Sequence, residues 1–237
     1  MIYAPQIKSV LITGASSGLG LEHCRAFAAR GLQVFATARV PAQAEELRSL
    51  AQRYEGRITV LAYDAAQADA AQRLKRELGD LPIDLLLANA GAIGGERQSF
   101  GAVDVAAALQ LVQVNALAPL QLVEALADNV AVSGRKLIAF QSSKMGSIGD
   151  NSSGGYYAYR VSKAALNMIA KCLCSDLGPR GVTVVSLHPG WVQTRMGGAN
   201  APVTVQQSVA GQQLLLDRLT PQDSGRFFNY DGAQLPW

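Results

Sequence analysis

A chain of 237 residues that is 49% hydrophobic and 16% charged has the apolar material for a sizeable buried core and too little charge for a disordered or highly solvated segment. Its net charge of +3 is small and its Lys and Arg are scattered, which argues against a nucleic-acid tract or a basic membrane-binding face. Three cysteines, Cys24, Cys172 and Cys174, supply neither an even disulfide set nor four zinc ligands, and they read as reduced thiols. The start at Met1-Ile2-Tyr3-Ala4-Pro5 has no leader character and no apolar run reads as long enough to cross a bilayer, so a soluble, cytoplasmic protein is expected.

In chain order, short apolar runs alternate with longer Ala/Leu-rich stretches. The expected strands are 9–13, 33–38, 58–62, 83–88, 136–141 and 182–187, with a weaker seventh at 226–229. Crossover helices are expected over 21–30, 67–78, 103–129 and 159–177, and Thr204 is placed to cap a further one. Nothing repeats and no linker divides the chain. This is the pattern of a single α/β domain with a doubly wound, mostly parallel seven-stranded sheet, a Rossmann fold with helices on both faces.

The first strand runs directly into Thr13-Gly14-Ala15-Ser16-Ser17-Gly18-Leu19-Gly20, and a helical stretch follows. Glycines there allow a tight turn and let backbone approach a pyrophosphate, while the helix start offers free N–H donors. The T-G-x-x-x-G-x-G spacing resembles the short-chain dehydrogenase/reductase family, and the resemblance continues through nearly the whole chain. In that family this loop, here Gly14, Ser16, Ser17, Gly18, Leu19 and Gly20, carries the pyrophosphate and ribose of a nicotinamide dinucleotide. The second strand ends on Ala38-Arg39 and lacks the carboxylate that would hold an unphosphorylated ribose. The permanent charge of Arg39 suits a 2′-phosphate, so NADP(H) is the expected cofactor. Ser17 stands where some family members place a second basic residue.

Two further strand ends point into the same crevice. Asp64 follows the third strand and Asn89-Ala90-Gly91 the fourth; the resemblance implies that Asp64 meets the adenine and that the Asn-Ala-Gly segment supports that side of the cleft. After the sixth strand, Pro189-Gly190-Trp191-Val192-Gln193-Thr194 resembles the family's P-G-x-V-x-T segment, which implies that Pro189, Gly190, Val192 and Thr194 hold the nicotinamide carboxamide. His188 and His23 read as structural.

The chemistry centres on Tyr159-Arg160-Val161-Ser162-Lys163, where phenol and ammonium lie four residues apart on one helix face. A neighbouring cation favours phenolate, so Lys163 is expected to tune Tyr159, and both are expected to touch the cofactor. Ser143, rather than Ser142, is expected to donate a hydrogen bond to the substrate oxygen, because strand alternation sends the two to opposite faces. Asn115 sits in an apolar helix where its low propensity calls for a reason. The resemblance supplies one: an asparagine that holds a water linking the lysine to solvent, completing an Asn-Ser-Tyr-Lys tetrad.

Sixteen positions separate Ser143 from Tyr159, more than is common in the family. That loop and the closing Asp231-Gly232-Ala233-Gln234-Leu235-Pro236-Trp237 resemble the C-factor/sniffer branch, related to carbonyl reductases. Substrate loops are expected near 144–158 and 195–205, with 197–203 a short mobile lid. The implied function is NADP(H)-dependent hydride transfer between the nicotinamide and a small carbonyl/alcohol substrate. Two alternatives stand beside it: a dinucleotide-sensing signalling protein whose output is a partner contact, and a methyltransferase, which Arg39 and the Tyr159/Lys163 pair disfavour. Neither nucleic-acid nor metal partners are expected. A homodimer or homotetramer is, with the 103–129 and 159–177 helices at its interface.

Overall fold

The computed structural model describes residues 5–237, so residues 1–4 of the expected non-leader start lie outside the described residues. Seven strands form one sheet: β1 (Ser9–Ile12), β2 (Gln33–Ala38), β3 (Ile58–Ala62), β4 (Leu85–Ala88), β5 (Leu137–Gln141), β6 (Thr183–His188) and β7 (Arg226–Asn229). Their order is β3-β2-β1-β4-β5-β6-β7, and every neighbouring pair is parallel. The order turns back on itself between β1 and β4, which opens a crevice beyond the carboxyl ends of those strands.

Strand side chains alternate between two cores. Leu11, Leu86, Ile138, Phe140 and Val184 face one side, where α3 (Ala70–Leu78), α5 (Ala118–Ala131) and α6 (Tyr157–Leu177) bring Leu74, Leu122, Leu126, Leu166 and Leu173. Val10, Ile12, Leu85, Leu87, Ala139 and Val185 face the other, under α1 (Gly18–Ala29), α2 (Glu45–Arg53) and α7 (Val205–Arg218), with Cys24, Phe27, Leu47 and Leu216. Burial on both faces is why the strands read as continuous apolar runs. Thr204 caps α7, accepting from the Gln207 N–H at 3.1 Å in a capping box.

Among the boundaries that differ from expectation, three have a clear physical cause. α1 begins at Gly18, since the last two loop glycines are wound into its first turn. β4 begins at Leu85, because the N–H of Ile83 bonds to the Asn129 carbonyl at 3.0 Å and Asp84 turns to another task. Asp84, at the opposite end of the sheet from the crevice, accepts backbone N–H groups from Lys8 (2.8 Å), Ser9 (3.2 Å), Gly134 (3.1 Å) and Arg135 (3.0 Å). The expected 103–129 helix is α4 (Val105–Val112) and α5, joined by a single π turn over Gln113–Leu117.

That join bears on one reading, that no apolar run is long enough to cross a bilayer. The joined helix, Val105–Ala131, is 27 residues long and by length and composition could cross a membrane. Leu122, Val123, Leu126 and Val130 of its α5 part are buried in the core, while Val105, Leu109 and Leu117 are exposed.

Candidate active site

The phosphate loop is shaped by what its glycines allow. Gly14 has φ of +68°, and a Cβ there would stand 2.8 Å from the Ala90 Cα; a Cβ on Gly20 would overlap the Gly14 carbonyl. Close passage of β4's end across the loop is thus possible only with hydrogen at these positions. Asn89 fixes the crossing, donating Nδ2 to the Thr13 and Gly14 carbonyls at 2.9 and 3.2 Å. In return the Thr13 hydroxyl accepts the N–H groups of Asn89 and Ala90, both at 3.0 Å. Asn89 is therefore spent on holding the loop. Ser17 precedes α1 in an extended conformation without a side-chain cap, and no acidic residue stands in the first turn. The α1 amino terminus keeps its positive end for an anion.

Around that end lie the other expected contacts. Arg39 is exposed at the end of β2, and among the described residues its side chain enters no hydrogen bond or ion pair. Asp64 accepts from the Ala66 N–H at 3.1 Å, which spends one carboxylate oxygen on a turn. Thr194 reaches the loop from the far side: a Cβ on Gly18 would meet its Cγ2 at 3.6 Å. Pro189 is held by the Ser208 hydroxyl, which donates to its carbonyl at 2.6 Å. Gly190 has φ of +86° under the Tyr230 ring, and Val192 bridges to Val203. An uncapped helix start, a glycine cradle and an unpaired guanidinium fit a dinucleotide bearing an extra phosphate.

The expected acid/base pair is buried. Tyr159 is 7% exposed and Lys163 5%, with Lys163 Nζ 5.9 Å from the Tyr159 ring centre. Lys163 donates to the Gln141 carbonyl at 2.8 Å, and burial lowers its pKa from 10.5 to about 8. Burial also pushes the Tyr159 hydroxyl above its ordinary value, an effect opposed by its contact with the Ser143 hydroxyl. This corrects the expected tuning. In the protein alone desolvation is the largest influence on Tyr159, because it penalises the phenolate.

Ser143 accepts the Met145 N–H at 3.1 Å, which aims its hydroxyl across the strand end. Ser142 points away and donates to Asn167 Oδ1 at 2.6 Å. Asn115, fully buried in the π turn, accepts from the Ala92 N–H at 2.8 Å and donates to the Ala92 carbonyl at 2.8 Å and to Ser162 Oγ at 2.9 Å. Ser162 passes the link on to the Tyr159 carbonyl at 2.8 Å. Both Asn115 N–H donors are thus engaged in tying the crevice wall to α6. A Cβ on Gly91 would stand 3.2 Å from Asn115 Oδ1 and 3.5 Å from Lys163 Nζ, so the two atoms border the same small hollow.

Ser162, Asn167 and Gln98 are the polar residues here that the sequence reading passed over. Ser162 and Asn167 carry a usable signal: two polar residues on the buried face of an amphipathic helix, one and eight positions from landmarks already noted. Gln98 gives none. His188 and His23 are both held near a pKa of about 4 by burial, uncharged at neutral pH. The 197–203 segment is laced rather than free, with Trp191 Nε1 donating to the Gly197 carbonyl at 2.7 Å and Gln193 Nε2 to the Ala201 carbonyl at 2.9 Å.

Comparison with known proteins matches this geometry. The short chain dehydrogenase family model covers residues 8–203. The C-signal protein of Myxococcus xanthus is 44% identical over 156 residues, 66% of this chain and 93% of that protein. The structure of carbonyl reductase Sniffer of D. melanogaster superposes with a TM-score of 0.89 at 36% identity, covering 98% of this chain and all (100%) of that one. A carbonyl reductase from Pseudomonas aeruginosa in complex with NADP does so with a TM-score of 0.84 at 38% identity, again over 98% and 100%. A glycine cradle at a parallel-sheet switch point and a buried Ser-Tyr-Lys group, on a chain these models and neighbours span, make it a member of the short-chain dehydrogenase/reductase family of oxidoreductases, in its C-factor/sniffer branch.

Proposed function

We propose that this protein is an NADP(H)-dependent carbonyl reductase acting on a small carbonyl/alcohol pair. One observation carries the reading: Tyr159, Ser143 and Lys163 converge in a single buried spot at the crevice, next to a phosphate cradle flanked by an unpaired Arg39. Gly14, Ser16, Ser17, Gly18, Leu19 and Gly20 would hold the pyrophosphate at the α1 amino terminus. Arg39 would pair with the 2′-phosphate. Asp64, Ala90 and Gly91 would line the adenine side, and Pro189, Gly190, Val192 and Thr194 the nicotinamide side. The bound nicotinamide supplies the hydride, or accepts it in the opposite direction.

The chain's own part is to hold a proton and stabilise charge. Ser143 donates to the substrate oxygen as negative charge develops on it. Tyr159, kept protonated by burial, gives its hydroxyl proton to that oxygen. Lys163 and Asn115, at the two edges of the hollow over Gly91, would return a proton through a bridging water. The P. aeruginosa neighbour binds NADP, which supports the cofactor choice. Self-association through α4 and α6 is part of the proposal, since Val105, Leu109, Val161 and Met168 leave apolar faces exposed on those helices. The 144–158 loop is proposed as a substrate wall. It is held from beside the catalytic tyrosine by Arg160, whose Nε donates to the Gly154 and Gly155 carbonyls at 3.0 Å.

The test follows NADPH and NADH oxidation with a panel of aldehydes, ketones and diones, for wild type and Tyr159→Phe. Turnover with NADPH that Tyr159→Phe abolishes is expected. Tight NADPH binding without turnover of any carbonyl would refute the reading and favour a dinucleotide sensor.

A further inference from the structure

The helix that carries Tyr159 starts badly on its own. Tyr156, the residue before α6, is left-handed (φ 47°, ψ 40°) and contributes no side-chain cap, and the first turn holds no acidic residue. A helix start leaves four N–H groups without intrahelical partners, and the one on the buried Tyr159 cannot be left to water. Gln98 satisfies two. Its carbonyl accepts the Tyr157 N–H at 2.9 Å, and its side-chain Oε1 accepts the N–H of Tyr159 itself at 2.9 Å.

The same side chain holds a second element. Gln98 Nε2 donates to the Ile93 and Gly95 carbonyls, both at 2.8 Å, while its backbone N–H bonds to the Glu96 carbonyl at 2.9 Å. These carbonyls belong to the segment that leaves Gly91 along the crevice. Gln98 is 6% exposed in a stretch, 94–102, where its neighbours are exposed, so an amide has been taken out of water at a loop position that packing alone does not require. Both ends of that amide are used, the acceptor on the catalytic helix and the donors on the crevice wall.

We infer that Gln98 is a positioning residue: it caps the helix that carries Tyr159 from 59 and 61 residues upstream, sets Tyr159 against Ser143, and fixes the 92–97 wall relative to both. The inference rests on the oxidoreductase reading of the site. Acceptor and donors of the amide do different work, and they can be separated. Gln98→Leu loses both. Gln98→Glu keeps an acceptor for the Tyr159 N–H, favoured by the helix dipole, but cannot donate to Ile93 and Gly95.

The experiment measures kcat and KM for a carbonyl substrate, the NADPH dissociation constant, and hydrogen exchange at the Tyr157 and Tyr159 amides, in wild type, Gln98→Leu and Gln98→Glu. For Gln98→Leu, kcat falls about 10- to 100-fold, the scale of a displaced reacting group, with NADPH affinity within about twofold of wild type and the Tyr159 amide newly exchanging. Gln98→Glu recovers most of kcat and the Tyr159 protection, while KM is raised in both variants because the Ile93 and Gly95 carbonyls lose their donor. Wild-type kcat in Gln98→Leu, or Gln98→Glu as impaired in kcat as Gln98→Leu, overturns the inference. If Gln98→Leu does not fold, Gln98→Glu still decides: loss of Tyr159 protection there overturns it too. Absence of turnover in wild type would fail the functional reading instead, and amide exchange would still judge the cap.

Discussion

Lys163 should make the folded protein less stable than it could be, and replacing it should show by how much. Its pKa falls from 10.5 to about 8 on burial, with the Gln141 carbonyl at 2.8 Å as its hydrogen-bond acceptor. A fall of that size corresponds to about 3 kcal/mol held against the charged form. The unfolded chain binds this proton up to about pH 10.5 and the folded chain only up to about pH 8, so between those values the unfolded state carries more protons and stability rises with pH. Below pH 8 the penalty is paid in full. Lys163→Met removes it and forfeits one hydrogen bond worth about 1 kcal/mol, leaving the variant roughly 2 kcal/mol more stable than wild type at pH 7. The difference should shrink toward zero, or reverse, by pH 10. Urea unfolding of both proteins without dinucleotide at pH 7 and pH 9.5 measures it, and kcat should drop by at least about 100-fold. A variant less stable than wild type at pH 7, or a difference indifferent to pH, would refute the reasoning.

Arg39→Ser should weaken NADPH binding about 10- to 100-fold, the worth of a charge-assisted pair, and leave NADH binding unchanged; titration of both dinucleotides by fluorescence checks it. Asp84→Asn turns one carboxylate oxygen, the acceptor of two backbone N–H groups, into a donor and should cost roughly 3–5 kcal/mol by urea unfolding, with the NADPH affinity of the folded fraction unaltered. Gly91→Ala puts a methyl 3.2 Å from Asn115 Oδ1 and 3.5 Å from Lys163 Nζ without backbone strain, and should lower kcat about tenfold while NADPH affinity holds. An unchanged kcat there would mean that no proton passes through the hollow.

The strands were legible because helices cover both sheet faces, so Leu85–Ala88 or Leu137–Phe140 can be apolar throughout, and length separates them from helices. The Tyr159/Lys163 pair was legible because four residues on a helix are neighbours whatever surrounds them. What surrounds them was not. The sequence places a cation by a phenol and argues for a lower tyrosine pKa; only burial, a property of the assembled fold, reverses the direction. Asn115 announced itself as a polar residue in an apolar helix, yet its partners Ala92 and Ser162 lie 23 and 47 positions away, and no local pattern carries such distances. Gln98 is the extreme case. Its stretch has no periodicity and mostly exposed neighbours, and its meaning lies in a helix start that lacks a cap of its own.

These misses share a cause that bears on how the site works. Desolvation raises the proton affinity of Tyr159 and lowers that of Lys163, so both shifts close the gap between ordinary values of about 10 and 10.5 and together invert it, leaving the phenol as the stronger holder of the proton. A reductase needs that order at the moment of transfer: an acid that keeps its proton until the substrate oxygen has become basic, and a lysine ready to pass one on at neutral pH. The burial that establishes the order also demands that every backbone group near it be satisfied from within the protein. Gln98, Asn115 and Ser162 meet that demand at the start of α6, so the polar residues that looked incidental are the condition on which a dry acid/base pair can stand there at all.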